Sequence, residues 1–185
     1  MSKRLFIGIN LPTATKRQLS TITRKLVVQY PQIKWEDKDK LHITLKFLGS
    51  TAISPQQIGD ALKIKLSDQV CFKSEFGELG VLVGRSTVVM IEIKKQEELL
   101  RTYYKVNNRL EQLGFAPDQG PFFPHITLGR SKSGQLVAIK KQLLGKLTSF
   151  EVTELTLFQS RLTSGGSIYQ EVIKIALQPN PTIVL

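Results

Sequence analysis

Only two histidines occur in the 185 residues, and each heads the phrase His-Ile-Thr-Leu. His42 stands in LHITLKFLG (41–49) and His125 in FFPHITLGRS (122–131). Side chains alternate faces along a β-strand. His42 and Thr44 therefore share one face, and Ile43 and Leu45 share the other. The same alternation sets His125 and Thr127 against Ile126 and Leu128. The apolar pair can anchor each strand in a core, leaving an imidazole and a hydroxyl on the opposite side. If the two strands come together, one cleft holds two imidazoles and two hydroxyls.

That set suits in-line displacement at phosphorus. One side of the phosphorus needs a base to take a proton from water. The other needs an acid to protonate the leaving oxygen, and two histidines can do both near neutral pH. Threonine hydroxyls and a nearby cation can hold the non-bridging oxygens. Lys46, four residues after His42, starts on the histidine face. Arg130, five after His125, needs a bend or bulge near Gly129 to reach it. Trp35 and Phe47 are aromatic candidates for stacking on a base, although both types also serve in cores. A lone His-x-Thr is unspecific, but two copies that hold every histidine of the chain carry more weight. Other chemistries fit less well. Two histidines and Cys71 make a poor zinc set without scattered carboxylates, so no metal is expected. No Walker-type loop or dinucleotide glycine motif is present, and no serine stands out as a nucleophile.

The elements that must position these residues follow from periodicity. RLFIGINL (4–11) reads as a strand. A helix follows Pro12, with Leu19, Ile22, Leu26 and Tyr30 in register. Residues 33–35 suggest a short strand, DKDK a turn, and HITLKFLG a strand ending at Gly49. In SPQQIGDALKIKL (54–66), Ser54 caps a helix, Pro55 takes its first position and Gln57 completes a capping box, with Ile58, Leu62 and Leu66 as the stripe. A β-rich stretch covers about 70–83. TVVMIEIK (87–94) is a strand, and 96–114 is the strongest helix, lined by Leu99, Tyr103, Val106, Leu110 and Leu113 and capped by Gly114. The second HITL strand precedes a helix at 135–147 with Leu136, Ile139, Leu143 and Leu147 in register. Strands near 150–162 and 167–177 flank LTSGGS (162–167), a hairpin turn. Leu5 lies 37 positions before His42, and Val88 lies 37 before His125. The order strand, helix, HITL strand, helix, strands thus occurs twice, which implies duplicated units of about 1–84 and 85–185 in a single two-lobed domain spanning 1–185. The expected fold is α+β, a pseudo-twofold body with antiparallel sheets lining a central cleft and helices packed outside.

Composition narrows the partner. Lys and Arg number 26 against 15 Asp and Glu, a net charge of +11, which fits a polyanion such as nucleic acid. The excess is spread along the chain. The hydrophobic fraction of 41% is enough for a core and argues against disorder. A single cysteine excludes an internal disulfide. The N-terminal apolar run is too short for a signal peptide and no run is long enough to span a bilayer, so the chain reads as soluble and cytoplasmic.

These motifs resemble the two-histidine (2H) phosphoesterase superfamily. The similarity is greatest to the bacterial and archaeal RNA 2′,3′-cyclic phosphodiesterases, also called 2′-5′ RNA ligases. RLFIGINLP is similar to that family's opening strand, LHITLKFLG and PHITLGR to its two signature motifs, and LTLFQSRLTSGGSIYQEV (155–172) to its closing hairpin. The resemblance covers nearly the whole chain. It implies hydrolysis of RNA 2′,3′-cyclic phosphate ends to 2′-phosphates, without a cofactor, a membrane or an obligate protein partner. It casts His42 as general acid and His125 as general base, with Thr44, Thr127 and Arg130 binding the phosphate. Lys46 and Phe47 are further candidates. Pseudo-symmetry leaves the acid and base roles open. Three other readings stay open as well: 2′-5′ end joining at the same site, a related 2H enzyme acting on small cyclic nucleotides, and a non-catalytic RNA-binding module.

Overall fold

The computed structural model describes residues 2–84, 86–131, 147–164 and 166–181. Ten strands and three helices are seen among them. They run in the order β1 (Lys3–Asn10), α1 (Thr13–Gln29), β2 (Lys34–Trp35), β3 (His42–Thr51), α2 (Pro55–Lys65), β4 (Phe72–Ser74), β5 (Phe76–Val83), β6 (Thr87–Ile93), α3 (Glu97–Gln112), β7 (His125–Ser131), β8 (Phe150–Val152), β9 (Glu154–Thr163) and β10 (Gly166–Ala176). A short 3-10 turn at Lys38–Lys40 occupies the DKDK segment. The helix expected at 135–147 lies outside the described residues, apart from Leu147.

Local sequence explains each helix. The α2 capping box forms as read: Ser54 Oγ accepts from the Gln57 N–H, and the Gln57 side chain accepts from the Ser54 N–H. Ile58, Leu62 and Leu66 are fully buried. On α1, Leu19, Ile22 and Leu26 are buried, and on α3, Leu99, Tyr103, Val106 and Leu110. Gly114, at φ +90°, ends α3, and the Phe115 N–H returns to the Leu110 carbonyl.

The strands form one antiparallel sheet in the order β10-β9-β1-β3-β7-β6-β5, with β2 also pairing to β7. Strand β1 lies between β3 and β9, and β6 lies between β7 and β5. The halves of the sequence are therefore not the halves of the sheet. Strand β5 crosses to pair with β6, β9 returns to pair with β1, and β4 pairs with β8 in a separate two-stranded sheet. Among the described residues β3 and β7 share one backbone bridge, Ile43 to Ile126, which joins the two half-sheets at the middle of the two HITL phrases. Ile43, Ile126 and Leu128 are fully buried and Leu45 nearly so, which anchors both phrases in one core.

Pairing also refines the repeat. Phe6 lies opposite Phe47, and Val88 lies opposite Arg130. Phe47 and Arg130 each follow their histidine by five residues, so the strand position that matches Val88 is Phe6, not Leu5. The first unit is one residue shorter between these points. The equal spacing of 37 counted from Leu5 is thus one residue out of structural register.

Candidate active site

His42, Thr44, His125 and Thr127 line one cavity of about 310 Å³ on the side of the sheet opposite the buried Ile and Leu residues. Strand alternation delivers these four as read from sequence. Each imidazole is then oriented by a backbone carbonyl two residues upstream. His42 Nδ1 donates to the Lys40 carbonyl at 2.6 Å, and His125 Nδ1 donates to the Phe123 carbonyl at 2.9 Å. These bonds fix the neutral tautomer and leave both Nε2 atoms for the site. His42 Nε2 lies 3.1 Å from Thr44 Oγ, so the threonine hydroxyl donates to it.

Beyond the fourth motif residue, the alternation breaks in both strands. The β1–β3 register shifts where Ile7 faces Lys46 and Gly8 faces Thr44, so Leu45 is the extra residue. The β6–β7 register shifts in the same way at Leu128. A β-bulge inserts one unpaired residue and reverses which face the following side chains take. Arg130 therefore turns into the cavity, where its Nη2 lies 3.4 Å from Thr127 Oγ. This is the bulge near Gly129 that Arg130 required. Phe47 turns into the cavity at the matching position and is 69% exposed.

The same bulge corrects the reading of Lys46. It does not share the histidine face: its side chain is 2% exposed, and its Nζ lies 2.9 Å from Asp118 Oδ1 in an ion pair without hydrogen-bond geometry. Asp118 also accepts from the Tyr103 hydroxyl at 2.8 Å. Gly129 takes the place equivalent to Lys46 and packs onto β2, where an added Cβ would lie 2.7 Å from Ile33 Cγ2 and 3.0 Å from Trp35 Cε3. Trp35 is thus held beneath the second motif, its Nε1 donating to the Tyr30 carbonyl at 3.2 Å, and it does not line the cavity.

Several residues of the site were not singled out by the HITL phrases. Tyr169 on β10 meets the His42 ring edge-on at 5.3 Å, and Phe6 and Phe158 lie at 4.9 and 5.7 Å from it. Glu36, Leu82 and Val88 complete other parts of the wall. Glu36 lies six residues before His42, whereas the others come from strands distant in sequence from the nearer imidazole and are brought to it by sheet pairing. The aromatic packing has an electrostatic consequence. The His42 pKa falls from 6.5 to about 4, chiefly through burial, with the bond to the Lys40 carbonyl opposing the fall and the nearby His125, Lys16 and Arg130 adding to it. With this pKa, His42 is neutral at pH 7. Burial likewise raises the Tyr169 phenol above its ordinary value.

Two imidazoles whose Nε2 atoms face one cavity, with two hydroxyls and a guanidinium beside them, can bind a phosphate and move protons on it. Comparison with known proteins agrees. The model of the 2′-5′ RNA ligase superfamily matches residues 16–163, which include both HITL phrases. An RNA 2′,3′-cyclic phosphodiesterase of Methanocaldococcus jannaschii is 29% identical over 180 residues, covering 92% of this chain and 98% of that protein. One from Aeropyrum pernix is 30% identical over 152 residues, covering 77% and 85%. The crystal structure of E. coli LigT in apo form superposes with a TM-score of 0.80 at 27% identity, covering 96% of this chain and 99% of that one. E. coli LigT complexed with 3′-AMP gives 0.78 at 26% identity, with 96% and 99% covered. The paired motifs, the sheet that brings them together and the matched span place the chain in the 2′-5′ RNA ligase superfamily.

Proposed function

We propose that the protein hydrolyses RNA 2′,3′-cyclic phosphate ends to 2′-phosphate ends, with two histidines as acid and base. The observation that carries this reading is the matched tethering of the two imidazoles. Each Nδ1 is held by a carbonyl two residues upstream, and both rings border one cavity. The names of the curated relatives and the +11 charge support an RNA substrate.

In this reaction a water oxygen attacks phosphorus and the P–O3′ bond breaks. His125 Nε2 takes the water proton, and His42 Nε2–H protonates the departing O3′. Thr44, Thr127 and Arg130 bind the non-bridging oxygens, where negative charge builds in the transition state. His42 is neutral at pH 7, so as the acid it must gain its proton when substrate binds. A phosphodiester anion beside a buried imidazole favours the charged form and raises its pKa. Residues 1–84 and 85–185 act in this scheme as duplicated units, each supplying one histidine and one threonine.

The test is hydrolysis of a short RNA ending in a 2′,3′-cyclic phosphate, with the product phosphate position determined. His42→Ala and His125→Ala should each nearly abolish turnover while thermal melting stays that of a folded protein. Turnover should persist in chelator. Full activity in either variant would overturn the two-histidine mechanism, and loss of activity in chelator would point to a metal instead.

A further inference from the structure

The two imidazoles are oriented alike but supported differently. The carbonyl that holds His42 Nδ1 belongs to Lys40, at the end of the 3-10 turn. That turn is closed by its own backbone, with the Lys40 N–H donating to the Asp37 carbonyl at 3.0 Å and the Leu41 N–H to the Lys38 carbonyl at 3.2 Å. The carbonyl that holds His125 Nδ1 belongs to Phe123, in the connection from α3 to β7. Among the described residues, 116–123 make no backbone–backbone hydrogen bond; the bonds that bound the stretch are those of Phe115 and Pro124. Side chains hold it instead. Asp118 sets one oxygen 2.9 Å from Lys46 Nζ and accepts from the Tyr103 hydroxyl at 2.8 Å with the other. Four residues on, Phe122 lies flat on the Tyr103 ring, with centroids 4.0 Å apart and planes 10° from parallel. Tyr103 is buried on α3, and the Lys46 side chain, on β3, is 2% exposed. An ammonium so covered is costly without its partner, which ties Asp118 to it. The connection is thus fixed at two points just ahead of the carbonyl that His125 needs. Lys46 follows Thr44 by two residues, so the strand of the first motif braces the histidine of the second. Gly129, at the equivalent place in the second motif, has no side chain to return the favour.

We propose that Lys46, Asp118 and Tyr103 are positioning residues for His125, holding the Phe123 carbonyl where it keeps the imidazole proton on Nδ1 and turns Nε2 to the phosphate. The proposal rests on the phosphodiesterase reading above, in which His125 Nε2 takes the proton of water. Only the tautomer with hydrogen on Nδ1 has a lone pair at Nε2, and the hydrogen bond made at Nδ1 decides the tautomer. If the connection drifts, the carbonyl leaves Nδ1, the proton can move to Nε2, and the base is lost. Lys46 and Asp118 do not line the cavity that holds the two histidines, so they act through the connection and not on the phosphate. The brace therefore governs the rate of bound substrate rather than its affinity. Burial and the bond to Asp118 push the Tyr103 phenol above its ordinary value, which keeps it a donor wherever the imidazoles work.

The experiment compares wild type with Tyr103→Phe, Lys46→Met and a control, Lys105→Met. Tyr103→Phe keeps the ring on Phe122 and removes only the bond to Asp118. Lys46→Met removes the charge and keeps much of the volume. The two variants reach the brace from different elements, α3 and β3, so if one fails to fold the other decides. Lys105 also sits on α3 but pairs with Asp68 at 2.7 Å, and its loss reports destabilisation alone. Proton–nitrogen correlation NMR of the imidazoles, recorded well above the ordinary histidine pKa of about 6.5, reads the tautomer of each ring without substrate. Hydrolysis of an RNA with a 2′,3′-cyclic phosphate end gives kcat and KM. In wild type both rings should carry the proton on Nδ1. Tyr103→Phe and Lys46→Met should shift His125, and not His42, toward the Nε2–H form. They should lower kcat by about 10- to 100-fold with KM unchanged, the scale expected when a reacting group is displaced by about 1 Å. Lys105→Met should lower the melting temperature and leave both tautomers and kcat as in wild type. An unchanged His125 tautomer in the brace variants, equal shifts at both histidines, or a loss confined to KM would overturn the proposal. So would a fall in kcat for Lys105→Met equal to theirs. Wild type without turnover rejects the phosphodiesterase reading alone, and the tautomers still decide the brace.

Discussion

Lowering the pH from 7.5 to 4 should destabilise this protein through one buried ring. The unfolded chain binds a proton at His42 near pH 6.5, its ordinary value, while the folded protein resists until about pH 4. A depressed folded pKa means that the unfolded state binds the proton first as pH falls. The stabilisation is therefore whole above pH 6.5, declines below it, and is fully lost below pH 4. Across this window the gap of about 2.5 pH units corresponds to roughly 3 kcal/mol at pH 4. That is a large share of the stability of an ordinary domain. Carboxylates titrate in the same range, so the effect is isolated by difference. Denaturant unfolding of wild type and His42→Gln should show wild type losing about 3 kcal/mol more between pH 7.5 and 4. Only two histidines exist, so NMR titration gives two imidazole signals, and His42→Gln assigns them. The His42 signal should titrate near pH 4 in the free protein and at higher pH when a nucleoside 2′-phosphate is added. A midpoint near 6.5 in the free protein, or equal pH slopes for the two proteins, would refute the burial argument. An unmoved midpoint with ligand would refute the proton uptake that His42 needs as the acid.

Thr44→Ala and Thr127→Ala should each slow turnover by about 10- to 1,000-fold, as expected for loss of one donor to developing charge, and less than either histidine variant. A larger loss than for His42→Ala would reverse that ranking. Gly8→Ala should lower stability by roughly 1–3 kcal/mol, the cost of overpacking, because its Cβ would lie 2.7 Å from the Ile43 carbonyl oxygen. Turnover should fall with it, since the strand that carries His42 must shift, and an unchanged melting temperature and rate would contradict this. Asp118→Ala should reduce the denaturant midpoint more than Lys46→Met does, because it leaves a covered ammonium without its partner whereas methionine removes the charge. The opposite order would show that Lys46 does not need Asp118.

The grouping of the site's imidazoles and hydroxyls was legible because it is written in local pattern. Two HITL phrases fix, by the two-residue period alone, which side chains share a face, and His42, Thr44, His125 and Thr127 do share a cavity. The α2 capping box and the apolar stripes of α1 and α3 were legible for the same reason, since each depends on residues within a few positions of one another. Arg130 could be stated only as a condition, a bulge near Gly129. That bulge depends on how β6 pairs with β7, which no local pattern encodes. Lys46 was misread for the matching reason, because the period counted from His42 carries past Leu45 only if no residue is left unpaired there.

The sequence by itself determined which imidazoles and hydroxyls share a face, His42 with Thr44 and His125 with Thr127, because residue type and alternation are properties of short segments. Only the tertiary structure decided how those groups behave. It crossed β5 and β9 between the sequence halves and bulged both motif strands, exchanging Lys46 for Phe47 and admitting Arg130. It also packed Phe6, Phe158 and Tyr169 around His42 from three separate strands. The proton affinity of that imidazole is set by the water those rings exclude, and desolvation is a property of assembled neighbours rather than of any stretch of chain.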